Sequence, residues 1–241
     1  ACFAEAITTR DRESSEIIKN LGIKSNKVIT SADPAISLQF DVYETRKNSQ
    51  RRPIGITVVP YFDKRYWPSP NDNIYKKYIR EMSLVVDKIA KKFDREIIFF
   101  TTNFPSDLLA IYDIYKKIKY KDRISIIQDR LTPREIISVV SRCKVMLGTR
   151  LHSLILAYIT RTPFIAFAYQ PKVRYFCKRY WFKDYIVPLD KNVNFSQQEI
   201  LDKLQLLLNK NKKYQDYMEK KLIVLRDKAE ISKKVVLGII K

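Results

Sequence analysis

Short apolar runs alternate along this chain with longer stretches in which apolar residues recur every three or four positions. FAEAIT at residues 3–8 has the length of a strand, and RESSEIIKNLG at 12–22 has a helical period closed by Gly22. KVITS at 27–31 is a strand leading into Ala32-Asp33-Pro34-Ala35. Residues 41–52 are polar and charged without a period, the pattern of a linker. A second series follows. Strands are predicted at 53–59 (PIGITVV), 96–102 (EIIFFTT), 123–128 (RISIIQ), 144–148 (KVMLG) and 162–169 (TPFIAFAY). Between them the period predicts helices over 73–93, 106–119, 132–143 and 149–159, with another over 172–181. Thr132, Pro133 and Glu135 form a capping-box pattern at the start of the third of these. From Ser196 to Lys241 the pattern is that of two or three Lys-rich amphipathic helices.

Strands that are apolar on both faces, joined through helices by short connections, imply a parallel sheet with helices on both sides. The expected class is therefore α/β and Rossmann-like. With 241 residues the chain is long enough for a substantial core, and its 12% aromatic content argues against disorder. No apolar run approaches the roughly 18 residues of a membrane span. The chain begins without Met in a strand-like run, which fits a piece of a longer protein. Cys2, Cys143 and Cys177 are scattered and match no metal spacing, so reduced thiols are expected and no metal. The net charge of +20 favours anionic partners, but the basic residues are spread along the chain and mark no site. Only four glycines are present, and neither GxGxxG nor a Walker loop occurs.

Candidate chemistry concentrates at Met146-Leu-Gly-Thr-Arg-Leu-His152, where a strand passes into a helix and the single histidine stands. Ligands of open parallel sheets bind beyond the carboxyl ends of the strands. With Thr149 as N-cap, Arg150 becomes the first helical residue and His152 the third. Free N–H groups of that turn and an arginine fork suit a carboxylate or phosphate. His152 beside a bound anion could exchange protons near neutral pH. The local pattern serves equally for a His152 that merely caps or packs. Tyr169-Gln-Pro-Lys172 follows the next strand, and Lys172 would be a second cation, although a lysine in such a place is usually solvated.

The succession Gly-x-Arg-Leu-His, helix, x-Pro-Phe strand and Tyr-x-Pro-Lys resembles the polysaccharide pyruvyl transferase family. Arg10-Asp11-Arg12-Glu13-Ser14 and Asp33-Pro34-Ala35 are similar to two further segments of that family, so the resemblance spans about residues 5–185. It implies a GT-B-like fold of two Rossmann-like domains. Residues 1–45 would end an incomplete N-terminal domain, and 46–241 would form the C-terminal domain with its terminal helices. A glycine-rich loop would then belong to the missing N-terminal domain, a partner within the same protein. The family transfers pyruvate from phosphoenolpyruvate onto two hydroxyls of one sugar, forming a cyclic ketal. On that resemblance His152 is the general acid/base, and Arg150, Thr149, Lys172 and Tyr169 bind substrate, with Arg10 as a further carry-over. Members often carry a basic residue at the end of the first C-domain strand. Here Ile54-Gly-Ile-Thr-Val-Val-Pro-Tyr61 has none before Lys64 and Arg65, so either these shifted residues replace it or donor binding is altered. No cofactor is implied beyond phosphoenolpyruvate as donor and a glycan as acceptor. The expected location is the cytoplasm, where the positive surplus would suit peripheral contact with an anionic membrane face.

Two other classes compete. A glycosyltransferase of the same fold would use a nucleotide sugar and a carboxylate to grip the ribose, for which Asp129 and Glu135 are candidates. Glu135 is better explained by its cap. A nucleic-acid binder is suggested by charge alone and ranks last.

Overall fold

A computed structural model describes residues 4–38 and 51–239. The chain divides into two compact units, Asp41–Gln215 and Ala1–Phe40 with Asp216–Lys241. Residues 41–50 of the expected linker at 41–52, the boundary between 45 and 46, and Cys2 lie outside the described residues.

The larger unit is built on six parallel strands: β3 (Ile54–Ile56), β4 (Ile97–Phe99), β5 (Ile124–Ile126), β6 (Val145–Gly148), β7 (Phe164–Ala168) and β8 (Ile186–Pro188). Their order across the sheet is β5-β4-β3-β6-β7-β8. This is a doubly wound Rossmann arrangement, in which the chain runs outward from β3 to one edge and then from β6 to the other. The order reverses between β3 and β6, where a crevice opens beyond the strand ends. β3, β6 and β7 are buried at every position, as a sheet covered on both sides requires.

Helices α2 (Asp72–Lys92), α3 (Ser106–Lys117), α4 (Pro133–Arg142), α5 (Leu151–Ile159), α6 (Pro171–Arg179) and α7 (Gln197–Asn209) connect and follow the strands. α2 packs on α3 and α7, while α5 packs on α4 and α6. The expected capping box forms at α4: Thr132 N donates to Glu135 Oε2 at 2.7 Å. Tyr78, Phe99, Phe100, Tyr158, Phe164, Phe167 and Phe182 fill the core with fully buried rings. β8 is an element that the pattern did not predict, since Ile186-Val187-Pro188 is too short to show a period.

The smaller unit contains β1 (Ile7–Thr9) paired in parallel with β2 (Val28–Thr30), joined through α1 (Arg12–Asn20). Asp11 caps α1 by accepting from Ser14 N at 2.7 Å. Ser15 Oγ sits between Thr9 Oγ1 at 2.5 Å and Thr30 Oγ1 at 2.6 Å, tying the helix to both strands. The long terminal helix α8 (Asn211–Ile239) contributes its later turns here, where Ser31 Oγ donates to Lys228 O at 2.8 Å. No helix among the described residues is long and apolar enough to cross a membrane.

Candidate active site

The crevice between β3 and β6 is shaped by a tight passage from β6 into α5. Gly148 allows it: a methyl group there would lie 2.6 Å from Leu154 Cδ2 and 2.9 Å from Ser153 Oγ. Ser153 is buried, donates to Arg150 O at 2.7 Å and accepts from Thr57 Oγ1 at 3.1 Å. Thr149 is also fully buried, and its hydroxyl donates to Thr57 O at 3.2 Å, stitching β6 to the chain leaving β3.

This geometry corrects the expected cap. Arg150, not Thr149, is the N-cap of α5, and His152 is its second residue. Thr149 faces the core because its hydroxyl finds a backbone carbonyl on the neighbouring strand's extension. Arg150 enters a bidentate ion pair. Its Nε donates to Asp107 Oδ1 and Oδ2 at 3.2 and 3.1 Å, and its Nη2 donates to Oδ1 at 2.6 Å. Asp107 is fully buried in the first turn of α3 and also accepts from Asn103 N at 3.1 Å. Burial pushes the Asp107 carboxyl up, against the opposing pull of Arg150. For Arg150, burial acts downward, but the bonds to Asp107 outweigh it and hold the guanidinium above its ordinary value. Burial also raises the Tyr169 phenol, while its interaction with Arg150 pulls the other way.

A cleft of about 540 Å³ opens beside this pair. Pro105, Arg150 and Gln170, which line it, are the N-caps of α3, α5 and α6. None of the three makes a side-chain capping hydrogen bond. Three helix starts without side-chain caps therefore converge on one cleft. Their dipoles favour a bound anion there, although Asp107 N and Leu108 N of α3 already donate to Asn103 O and Pro105 O, Val173 N of α6 donates to Gln170 O, and Pro171 has no N–H to offer. Tyr169 lines the same space, as do Tyr66, Trp67 and Phe104.

The other expected residues fall elsewhere. His152 is exposed at the start of α5 and Lys172 is exposed at the start of α6, and neither lines the cleft wall. Lys64 is exposed. Arg65 does not stand in for a missing strand-end cation at the cleft. It is held by Asp63 on one side and by Asp113 at 2.6 Å on the other, and Nη2 also donates to Tyr75 Oη at 2.9 Å. Arg10 belongs to the smaller unit, where it approaches Asp33 and Asp11 at 3.5 Å each. Glu135 is committed to its cap and Asp129 is exposed. Sequence reasoning missed Asp107. Its signal was an acidic residue followed directly by Leu108 and Leu109, on a helix whose neighbours are buried. No group of three His, Cys, Asp or Glu among the described residues could hold a metal ion.

A family model described as polysaccharide pyruvyl transferase matches residues 1–171. Among curated proteins, none matches by sequence. Several solved structures share the fold. UDP-GlcNAc 2-epimerase from Neisseria meningitidis, bound to UDP-GlcNAc, superposes with a TM-score of 0.67 at 13% identity, covering 98% of this chain and 62% of the epimerase. The Methanocaldococcus jannaschii UDP-GlcNAc 2-epimerase, in complex with UDP-GlcNAc and UDP, gives 0.61 at 12% identity, covering 86% and 55%. Anabaena HepE, in complex with UDP and glucose, gives 0.59 at 10% identity, covering 99% and 63%. The chain thus spans less than two thirds of the length of these structures, and at such identities the likeness shows the fold, a GT-B-type Rossmann architecture.

Proposed function

The chain belongs to the polysaccharide pyruvyl transferase family, and from that premise we propose that its crevice binds phosphoenolpyruvate and passes the pyruvyl group to a glycan. The observation that carries this is the meeting of three helix starts without side-chain caps around Arg150. Phosphoenolpyruvate carries a carboxylate and a phosphate. Helix N-termini supply N–H donors and partial positive charge for both. Arg150 keeps Nη1 beyond the two nitrogens that Asp107 uses, and the buried carboxylate fixes the direction in which the guanidinium points.

Two oxygens of one sugar must become bonded to the pyruvyl C2 as the enol ester gives up its phosphate. The two attacking hydroxyls each lose a proton: one is gained by the methylene carbon, and the other leaves with the phosphate. An imidazole is suited to that traffic, and His152, although it does not line the cleft wall, is exposed two residues beyond Arg150 and would have to reach the cleft from there. Developing charge on the departing phosphate would fall on the helix starts. The positive surplus of the chain supports work beside an anionic membrane face in the cytoplasm.

A second reading has one specific support: the structures with this fold include epimerases bound to UDP-GlcNAc. The same helix starts would suit a diphosphate. Calorimetric titration of the full chain with phosphoenolpyruvate, and separately with UDP-sugars, tests the two. Saturable phosphoenolpyruvate binding is expected. It should weaken at least about tenfold in Arg150→Lys, which keeps a charge for Asp107 but loses the fork. His152→Ala should bind normally and lose turnover. UDP-sugar binding without phosphoenolpyruvate binding would overturn pyruvyl transfer in favour of a glycosyl donor.

A further inference from the structure

We propose that Tyr66, Trp67 and Phe104 form a stacking wall for a hexopyranose ring, the acceptor sugar; the assignment of that ring as acceptor rests on the function proposed above. These aromatics line the cleft, Tyr66 and Trp67 on the stretch that follows Tyr61, and Phe104 beside Pro105, the N-cap of α3. Tyr66 is 44% exposed and Phe104 41%, which leaves two large apolar faces open to solvent. Trp67 is half-buried and fixed from behind. Phe62 stacks on it at 5.2 Å and 27°, and Tyr61 meets it edge-on at 5.2 Å. Its other neighbour is Tyr169, 5.9 Å away, whose phenol interacts with Arg150. The aromatic wall therefore runs directly into the anion end of the cleft.

The loop that presents Tyr66 and Trp67 is built into the fold. Trp67 N and Tyr66 N both donate to Asp63 O, at 2.8 and 3.1 Å. The buried Asp63 carboxylate in turn accepts from Arg65 N at 2.9 Å. Such a platform is preorganised, so a ligand loses little of its binding free energy to ordering it. The C–H face of a pyranose is the apolar surface that matches a ring of this kind, while its hydroxyls need polar partners at the edge. Ser69, Asn103 and Gln170 supply hydroxyl and amide groups around the wall. A nucleoside is the poorer match: among the described residues no carboxylate lines the cleft to take a ribose diol. A cleft of about 540 Å³ lies within the roughly 300–1,000 Å³ of small-molecule sites and has room for a sugar beside a small anion.

Saturation-transfer NMR on the full chain, with a panel of methyl hexopyranosides and with uridine, tests this. Tyr66→Ala and Phe104→Ala change exposed side chains and should leave the fold intact, as circular dichroism would confirm. At least one pyranoside should receive saturation on its ring protons, and each variant should weaken its binding roughly two- to tenfold. Phosphoenolpyruvate binding should be unchanged in both variants. Absence of transfer to every pyranoside, or pyranoside binding that ignores both variants, would overturn the stacking wall while leaving the donor site standing. Transfer to uridine alone would also overturn it. Pyranoside binding that both variants weaken, in a chain that does not bind phosphoenolpyruvate, would support the wall and retire the donor proposal.

Discussion

Asp107 and Arg150 stand 43 residues apart in sequence and meet as a bidentate pair at the mouth of the crevice, with the carboxylate fully buried and the guanidinium one quarter exposed. One partner begins α3 and the other begins α5, so the pair joins two of the three helix starts that surround the cleft. The buried acid orients the arginine and also neutralises much of its charge. Under the proposed function, anion binding in the cleft would thus depend on backbone N–H groups as well as on the side chain.

Removing one member of such a pair leaves the other buried without a counter-charge. Asp107→Asn should lower stability by about 3 kcal/mol, the low end of the range for broken buried pairs, because Arg150 retains some solvent. Urea denaturation would read this as a lower midpoint at unchanged slope.

Arg150→Ala should behave differently with pH. Asp107 already titrates above the ordinary carboxylate range because of burial, and losing Arg150 removes an opposing pull. A carboxyl raised in the folded state favours folding while it is protonated, and that contribution is lost as pH rises through the raised value. The variant should therefore approach wild-type stability at about pH 4 and fall well below it at about pH 8. Urea midpoints for both proteins at the two pH values provide the check, and an equal deficit at both would refute it.

Gly148→Ala tests the tight strand-to-helix passage. The added methyl meets Leu154 and Ser153, both fully buried and unable to retreat into open space. Overpacking of this kind costs about 1–3 kcal/mol. Because the strain falls at the start of α5, phosphoenolpyruvate affinity should drop along with the melting temperature. Leu154→Ala combined with Gly148→Ala should recover part of the affinity.

Much of this architecture was legible in the sequence, and the reasons are local. The capping box at Thr132 and Glu135 depends on residues three apart, and it forms as the spacing predicts. Gly148 between an apolar strand and an apolar helix marked the crevice. Thr149 was misassigned because Ser and Thr before a helix usually cap it, whereas here its hydroxyl turns to Thr57 O, 92 residues away in sequence. Asp107 was missed for the same reason. An acid in a helix's first turn ordinarily complements the dipole in solvent, and only the folded chain brings Arg150 to it. Arg65 looked like a substitute cation, but Asp113 on α3 claims it across the fold.

The two described cysteines offer a probe of the core. Cys143 and Cys177 are fully buried, and burial pushes each thiol up to about 12. The reactive thiolate is therefore scarce at neutral pH. Iodoacetamide followed by peptide mass spectrometry should leave both unmodified in the native chain and label both in guanidinium chloride. Native labelling of Cys143 would mean that the β6 end of the sheet opens locally.

The Asp63–Arg65–Asp113 clamp should make the aromatic wall sensitive to acid. Burial pushes the Asp63 carboxyl up, but its bonds to Arg65 together outweigh that and hold it below the ordinary range. A carboxyl lowered in the folded state contributes stability above its unfolded value, and this is lost as pH falls through the lowered one. Protonated Asp63 would release Arg65, and the loop carrying Tyr66 and Trp67 would lose its anchor. Trp67 can be read alone in Trp181→Phe, since the chain has two tryptophans and Trp181 is 69% exposed. Acrylamide quenching of Trp67 should be weak near neutrality and rise only once the pH falls clearly below the ordinary aspartate value of about 4, before the far-ultraviolet circular dichroism changes. Arg65→Ala should show the strong quenching already at neutral pH. If quenching and circular dichroism change together in both proteins, the clamp serves global stability and does not hold the wall.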